Sequence, residues 1–182
     1  DAMVRFIASV MALHVASNAS YLSAPKARSC ASGYHFLSNL PRDPTKPPVA
    51  TDPPPPANGA INIVCKIMRE VLASATEAEL AAVYLNSKES CPIRICLEEL
   101  GHPQHPTPIQ TDNSTAAGIA NDTVKQKRSK AIDIRFYWIH DHVRQGQFHN
   151  YWRKGSLNRA DYFSKHHPAT NHQQILSSYL HS

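Results

Sequence analysis

Residues 14–23 read HVASNASYLS and follow the apolar stretch RFIASVMAL at 5–13. Two interpretations compete for this region. A basic residue, an apolar centre and small residues imitate a secretory signal peptide. Three Asn-x-Ser/Thr sequons would also suit secretion: Asn18, Asn113 and Asn121. Chance sequons are common in a chain rich in Ser and Thr, however, and we favour a first β-strand over residues 10–20.

Composition indicates an ordinary globular chain. Its 182 residues are 42% hydrophobic and 18% charged, which fits one domain over 1–182 with a sizeable core. The formal net charge of +5 is compatible with a polyanionic partner. No apolar run approaches the ~20 residues that span a bilayer, so we expect no membrane segment. The four cysteines lack metal-binding spacing, which favours free thiols in a reducing, intracellular compartment, either cytoplasm or nucleus.

Two further strands are predicted at 33–39 and 60–67, where Val, Ile, Tyr and Phe are dense. The segment between them, at about 41–59, holds eight of the fourteen prolines. Because proline fixes φ and removes a hydrogen-bond donor, this segment is predicted to be an extended loop joining two antiparallel strands. A polyproline site for a partner is the alternative to a tolerated surface insertion.

Helical patterns follow the third strand. Ser74 and Glu77 have capping-box spacing, which predicts a helix from Ala75. Pro92 must kink this helix or open a second one, which would end at Gly101.

The remaining pattern alternates strands and helices. A short strand is predicted to end at Asp112, and helical sequence resumes at Ser114 and again over 131–145. A fifth strand at 147–155 precedes a last helix capped by Ser156 or Asn158. This order predicts an α/β fold, with a five-stranded mixed sheet of three antiparallel strands, then two parallel strands, and helices on both faces.

Three acids occupy positions that a solvated surface acid would avoid. Glu79 falls on the helix stripe expected to face the sheet, and Asp112 ends a strand where open α/β sheets place ligands. Asp161 lies in the first turn of the last helix, where it also favours the helix dipole. Each alone has a structural explanation. Together they indicate a site for a hard cation, because carboxylates forced together repel unless they are protonated or metal-bound.

Four motifs in order resemble the ribonuclease H domain of Ty1/copia-type retrotransposon polyproteins. They are ASATEAELAAVYLNSKE (73–89), IQTDNSTAAGIAN (109–121), KQKRSKAIDIRFYWIHDHV (125–143) and GSLNRADYFSK (155–165). The resemblance extends from about Val4 to His167. It implies a ribonuclease H-like fold with the Pro-rich loop as an insertion.

The resemblance also implies an active site of four acids that hold two Mg²⁺ or Mn²⁺ ions. Glu79, Asp112 and Asp161 match the second, third and fourth acids of the family. Asn18 stands in SNASY where the family has Asp, so one metal ligand lacks its charge. The implied reaction is hydrolysis of the RNA strand of an RNA–DNA hybrid, and we expect Asn18 to lower its rate by several orders of magnitude.

Clusters of basic residues accompany two of these motifs. They are candidates for phosphate contacts, with solvated surface as the alternative. The candidates are Lys125, Lys127, Arg128 and Lys130 in the first cluster, and Arg153, Lys154, Arg159 and Lys165 in the second. The implied partners are an RNA–DNA hybrid or other nucleic acid, and reverse transcriptase or another protein subunit.

Two other classes of function remain. A captured, non-catalytic relic would bind nucleic acid or serve as a subunit of a larger assembly. A DDE transposase or integrase core shares the implied fold, but it is disfavoured because the order of acids here puts Glu on the first helix and Asp in the last.

Overall fold

Five strands form one sheet in this computed structural model, which describes residues 3–56, 58–124 and 130–180 and, for 130–133, the backbone alone. The strands are β1 (Ala12–Ala24), β2 (Arg28–Ser38), β3 (Ala60–Ile67), β4 (Thr107–Thr111) and β5 (Phe148–Trp152). Their order is β3-β2-β1-β4-β5. The β3-β2-β1 portion is antiparallel, whereas β4 runs parallel to β1 and β5 parallel to β4. The predicted mixed sheet is confirmed.

The strand that contains Asn18 lies at the centre of this sheet. Residues 12–18 of β1 are all buried, because strands pair on both sides and other elements cover both faces. At the opposite extreme, β3 is an edge strand, and alternate side chains such as Ile61 and Ile63 are exposed. The sheet therefore places position 18 in its most constrained strand.

Helix α1 (Ala75–Glu99) begins where the capping pattern predicts. The Ser74 hydroxyl accepts a hydrogen bond from the Glu77 amide (3.1 Å), and the Glu77 carboxylate accepts one from the Ala73 amide (2.7 Å). Pro92 lies inside this one helix, so no second helix opens there.

The described residues also form four shorter α-helices: α2 (Ser114–Ala120), α3 (Lys130–Arg144), α4 (Asp161–Ser164) and α5 (Ala169–Ile175). The prediction of a helix start capped by Ser156 or Asn158 is wrong. Residues Gly155–Leu157 form a 3-10 turn instead, and the Asn158 side chain accepts from the Ala160 amide (3.0 Å), so α4 starts only at Asp161.

Helices cover both faces, as predicted. The main core packs α1, α2 and α3 against β1, β4 and β5 through Leu13, Leu80, Ile109, Ile139 and Phe148. On the other face, Ala160 beside α4 packs on Ala16, Tyr34 and Phe36. Among the described residues, no helix combines the length and apolarity that a bilayer crossing requires.

The Pro-rich segment lies over the face that α4 also covers. It runs between β2 and β3, which pair from Phe36 and Ala60, and residues 53–56 line a cavity together with His14 and Tyr151. The prediction of a loop joining antiparallel strands therefore agrees with the structure. All four cysteines are free thiols.

Candidate active site at the ends of strands β1 and β4

Glu79 joins the first helix to both central strands. It lies in the second turn of α1, and its side chain is buried. One carboxylate oxygen accepts a hydrogen bond from the Ala19 amide in β1 (2.7 Å), and the other accepts from the Thr111 hydroxyl in β4 (3.0 Å). Burial raises the pKa of Glu79 to about 8, and the neighbouring charge of Asp112 adds to that effect.

Asp112 follows directly after β4 and is half-buried. The Trp152 indole donates to its backbone oxygen (2.9 Å), which fixes the strand end. Gly155 approaches so closely that a Cβ there would lie 2.8 Å from Asp112 Oδ2. Burial raises the pKa of Asp112, and so does the charge of Asp161.

The carboxylate of Asp161 already accepts from two side-chain donors. Its Oδ1 accepts a hydrogen bond from Asn18 Nδ2 (3.0 Å) and lies 2.6 Å from Lys165 Nζ. Asn18 is only 3% exposed, and its amide also donates to the Ser164 hydroxyl (2.9 Å). The Asn18 amide and the Lys165 ammonium therefore meet at the same carboxylate oxygen.

The four predicted site residues, Asn18, Glu79, Asp112 and Asp161, thus lie around one end of the sheet. After burial, the charge of Asp112 contributes to the raised pKa of Glu79, and the charge of Asp161 contributes to the raised pKa values of both Glu79 and Asp112. In the described part of the chain, however, no group of three or more His, Cys, Asp or Glu side chains converges closely enough to hold a metal ion. The two observations are compatible, because one charge affects the pKa of another over longer distances than a metal–oxygen bond spans.

The donor set bears on whether the implied pair of ions fits. Glu79 and Asp112 offer oxygen ligands whose raised pKa values reflect burial and carboxylate repulsion that a divalent cation would relieve. Asp161 differs, because an amide N–H and an ammonium already point at its Oδ1. These residues therefore suit one cation on the side of Glu79 and Asp112 better than a pair.

The predicted phosphate-contacting residues differ in their exposure and in whether the structure describes them. Lys125, Lys127 and Arg128 lie outside the described residues, and of Lys130 only the backbone, at the start of α3, is described. Lys154 and Lys165 are exposed near the site, and Arg159 is half-buried over the Tyr34 ring at 5.8 Å.

Arg153 is buried, so the alternative of a solvated surface residue is wrong for it. It is 3% exposed, and its Nη2 donates to the backbone oxygen of Asp52 in the Pro-rich loop (2.9 Å). Arg153 directly follows β5, and its side chain lies on the same face as that of Tyr151, which this loop covers. A run of basic residues in sequence does not reveal such coverage, because the loop is distant along the chain.

Sequence reasoning also missed the partners of the acids. Thr111 and Ser164 have no role in the sequence prediction, and the ion pair between Lys165 and Asp161 is not predicted either. The spacing of Asp161 and Lys165, four residues apart, was the available signal, because such pairs meet on one helix face.

Comparisons with known proteins agree with this fold. No family profile matches the chain. Two solved structures resemble it: LC11-RNase H1 in complex with an RNA/DNA hybrid (TM-score 0.54, 10% identity, 82% of this chain and 91% of that one) and the N-terminal RNase H domain of rv2228c from Mycobacterium tuberculosis (TM-score 0.52, 11% identity, 85% and 91%). The chain therefore has the RNase H-like fold.

Sequence similarity adds an origin to the fold. The chain is 32% identical over 87 residues to the retrovirus-related Pol polyprotein from transposon TNT 1-94 of Nicotiana tabacum. That match covers 48% of this chain and 7% of the polyprotein's length. Together with the fold, it supports an RNase H-like domain of retrotransposon origin, in agreement with the resemblance carried by the motifs.

Proposed function

We propose that this domain descends from a two-metal ribonuclease that cleaves the RNA strand of RNA–DNA hybrids, and that Asn18 impairs that activity. The proposal rests on one observation above all. The Asn18 amide donates to Asp161, at the position where the family resemblance implies a carboxylate. An amide offers one neutral oxygen and two N–H donors, so it neither bridges two cations nor neutralises their charge.

A divalent cation, when bound, supplies a nucleophilic water at neutral pH and stabilises charge at the scissile phosphate. We assign Glu79 and Asp112 as the residues that hold such an ion. The Ala19 amide and the Thr111 hydroxyl orient Glu79, and Gly155 leaves room for Asp112. Stabilisation of the transition state by metal ions is worth several kcal/mol, and each ~1.4 kcal/mol is tenfold in rate. Without the first Asp, we therefore expect the rate of cleavage to fall by several orders of magnitude.

The proposed substrate is an RNA–DNA hybrid, which a fold neighbour holds in its own structure. Lys154 is exposed and directly precedes Gly155, which lies against Asp112. Lys165 is exposed and pairs with Asp161, and Arg159 lines the same cavity as Asp161. We assign these three to phosphate contacts, which position a nucleic acid without reading its sequence. Reverse transcriptase or another protein subunit is a proposed partner. The proposed location is intracellular.

The deciding experiment is cleavage of a labelled RNA–DNA hybrid in Mg²⁺ and in Mn²⁺. We expect near-background cleavage by the natural chain and a rise of at least about a hundredfold in Asn18→Asp, since about 3 kcal/mol of restored transition-state stabilisation is a hundredfold in rate. Asp112→Asn in the Asn18→Asp background is the matched control and should return cleavage to background. Normal cleavage by the natural chain that Asp112→Asn abolishes would refute the role given to Asn18.

The second candidate is a non-catalytic domain that binds nucleic acid or serves as a structural subunit. The ion pair of Lys165 with Asp161 favours it, because it supplies positive charge to the site from the chain itself. This candidate predicts hybrid binding that weakens with salt but no cleavage by Asn18→Asp. If neither the natural chain nor Asn18→Asp binds or cuts the hybrid, a purely structural role is favoured.

A further inference from the structure

Arg153 is a buried cation with an incomplete set of partners. Its side chain is 3% exposed, and its Nε has no hydrogen-bond partner among the residues that the structure describes. Nη2 donates to a neutral acceptor, the backbone oxygen of Asp52. Among the described residues, no ion pair involves Arg153. A guanidinium keeps its charge in proteins, so its burial without a counter-charge is costly.

The surroundings of Arg153 form a cavity of about 120 Å³ beneath the Pro-rich loop. Two rings that line it are neutral at pH 7: burial lowers the pKa of His14 to about 4 and raises the pKa of Tyr151 to about 12. The Tyr151 ring, 5.7 Å from the guanidinium carbon, offers only a cation–π contact.

Charged groups around the cavity do not balance. Arg42 and Arg153 contribute two positive charges, and Asp52 contributes the one carboxylate in the lining. The Asp52 carboxylate also accepts a hydrogen bond from the Val49 amide (2.8 Å), within the loop itself. The cavity therefore carries an excess of positive charge on its described walls.

We propose that this cavity is an anion site, in which Arg153 binds a phosphate group beneath the Pro-rich loop. A tetrahedral oxyanion matches the guanidinium, which presents several N–H donors in one plane. The ligand is either free inorganic phosphate or a backbone phosphate of a nucleic-acid strand. The backbone amide of Arg153 donates to the Thr111 oxygen (3.0 Å), so the site lies beside the last residue of β4, which Asp112 follows, on the sheet face that α4 and the loop cover.

Phosphate-dependent thermal unfolding of the whole chain tests the proposal. Phosphate at low millimolar concentration replaces chloride at constant ionic strength. We expect the Tm of the natural chain to rise by several degrees and to saturate, because a ligand of the folded state stabilises it by mass action. In Arg153→Gln this rise should vanish, whereas Lys66→Gln, which removes an exposed cation on the β3 edge, should keep it.

Three results would overturn the anion site: the same Tm in phosphate and chloride, a rise without saturation, or an equal rise in Arg153→Gln. If Arg153→Gln does not fold, equilibrium dialysis of phosphate against the natural chain tests the site instead. The site requires one bound phosphate per chain, and a chain that binds no phosphate refutes the proposal.

A single-stranded oligonucleotide added to the phosphate-loaded protein distinguishes the two sources. Displacement of phosphate identifies a strand phosphate as the ligand, and retention identifies the free anion. The inference does not depend on the nuclease proposal, because none of these measurements involves cleavage or the Asn18→Asp variant.

Discussion

Gly33 lies so close to a buried side chain that even one added atom does not fit. A Cβ at this position would lie 1.8 Å from Asn86 Oδ1, and the Asn86 amide is fixed by donating to the Ser17 hydroxyl and the Ser32 backbone oxygen (both 2.9 Å). We expect Gly33→Ala to lower the free energy of unfolding by about 1–3 kcal/mol through overpacking. Urea denaturation measures the change. The double variant Gly33→Ala/Asn86→Ala should show a smaller loss than the two single changes added together, and strict additivity would contradict the clash.

Single side chains also set the charge of the candidate site, and the sequence predicted them unequally. The motifs placed Asn18, Glu79, Asp112 and Asp161 together, because each lies in or beside an element whose position follows from the fold. The burial of Arg153 was not predictable in the same way. It depends on a loop about a hundred residues away, and no local pattern around β5 encodes that contact.

His14 predicts how stability depends on pH. Burial lowers its pKa to about 4 from an ordinary value of 6.5, and its Nε2 lies 2.8 Å from the Asn39 backbone oxygen. Between those two values the unfolded chain binds a proton that the folded chain excludes. Stability should therefore fall as pH falls through this window, by up to roughly 1.4 kcal/mol per pH unit, and should not depend on His14 above it.

The measurement is urea unfolding of the natural chain and of His14→Gln from pH 7 to pH 4. The variant should lose stability less steeply, although the buried His35, whose pKa burial also lowers, keeps part of the slope. His105→Gln, at an exposed position, is the control and should match the natural chain. Parallel curves for His14→Gln and the natural chain would show that His14 does not titrate as its burial implies.

Helix α1 continues through a proline, which helix propensity alone does not predict. Pro92 has no N–H to continue the helix, and the sequence left open a kink or a second helix. The structure keeps one 25-residue helix, because Leu80 and Val83 before the proline and Leu97 after it pack into the same core. Arg94 also holds the helix in place. It donates to the His105 backbone oxygen and to the hydroxyl of Thr107, the first residue of β4 (both 2.7 Å).

Pro92→Ala should stabilise the chain, because it restores the missing donor at an exposed helix position. The intrinsic preference of Ala over Pro in a helix interior is about 3 kcal/mol, and we expect a gain of about 1 kcal/mol or more after packing adjusts. Thermal unfolding measures it. Lys88→Ala, one turn earlier and also exposed, serves as the control and should change Tm little. A lower Tm for Pro92→Ala would mean that the contacts of Arg94 require the proline.

Across the whole molecule, the sheet and the Pro-rich loop contribute differently. The number of strands and their directions were predictable from the alternation of patterns, since crossovers obey general rules. The loop's packing on His14, Tyr151 and Arg153 was not, because prolines specify an extended chain but not the surface on which it lies.

Replacing residues 41–56 by a short Gly-Ser linker should preserve the fold and lower Tm. The strands that the loop joins already pair from Phe36 and Ala60, so a short connection suffices, but Tyr151 and Arg153 would lose their cover. Circular dichroism and thermal unfolding measure the two effects. A loop of the same length with scrambled sequence is the control and should also lower Tm. Loss of the folded spectrum on shortening would show that the loop belongs to the core of the fold.

Helix α4 has only four residues, too few to be stable by itself. Its place is set from outside: the Ser32 hydroxyl of β2 donates to the Ala160 backbone oxygen (2.7 Å), and the Asn158 amide donates to the Ser17 backbone oxygen of β1 (2.8 Å). The hairpin of β1 and β2 therefore fixes the position of Asp161, although β2 supplies no site residue. Substitutions in that hairpin during evolution would separate Asp161 from the other acids, with the same effect as the loss of a carboxylate.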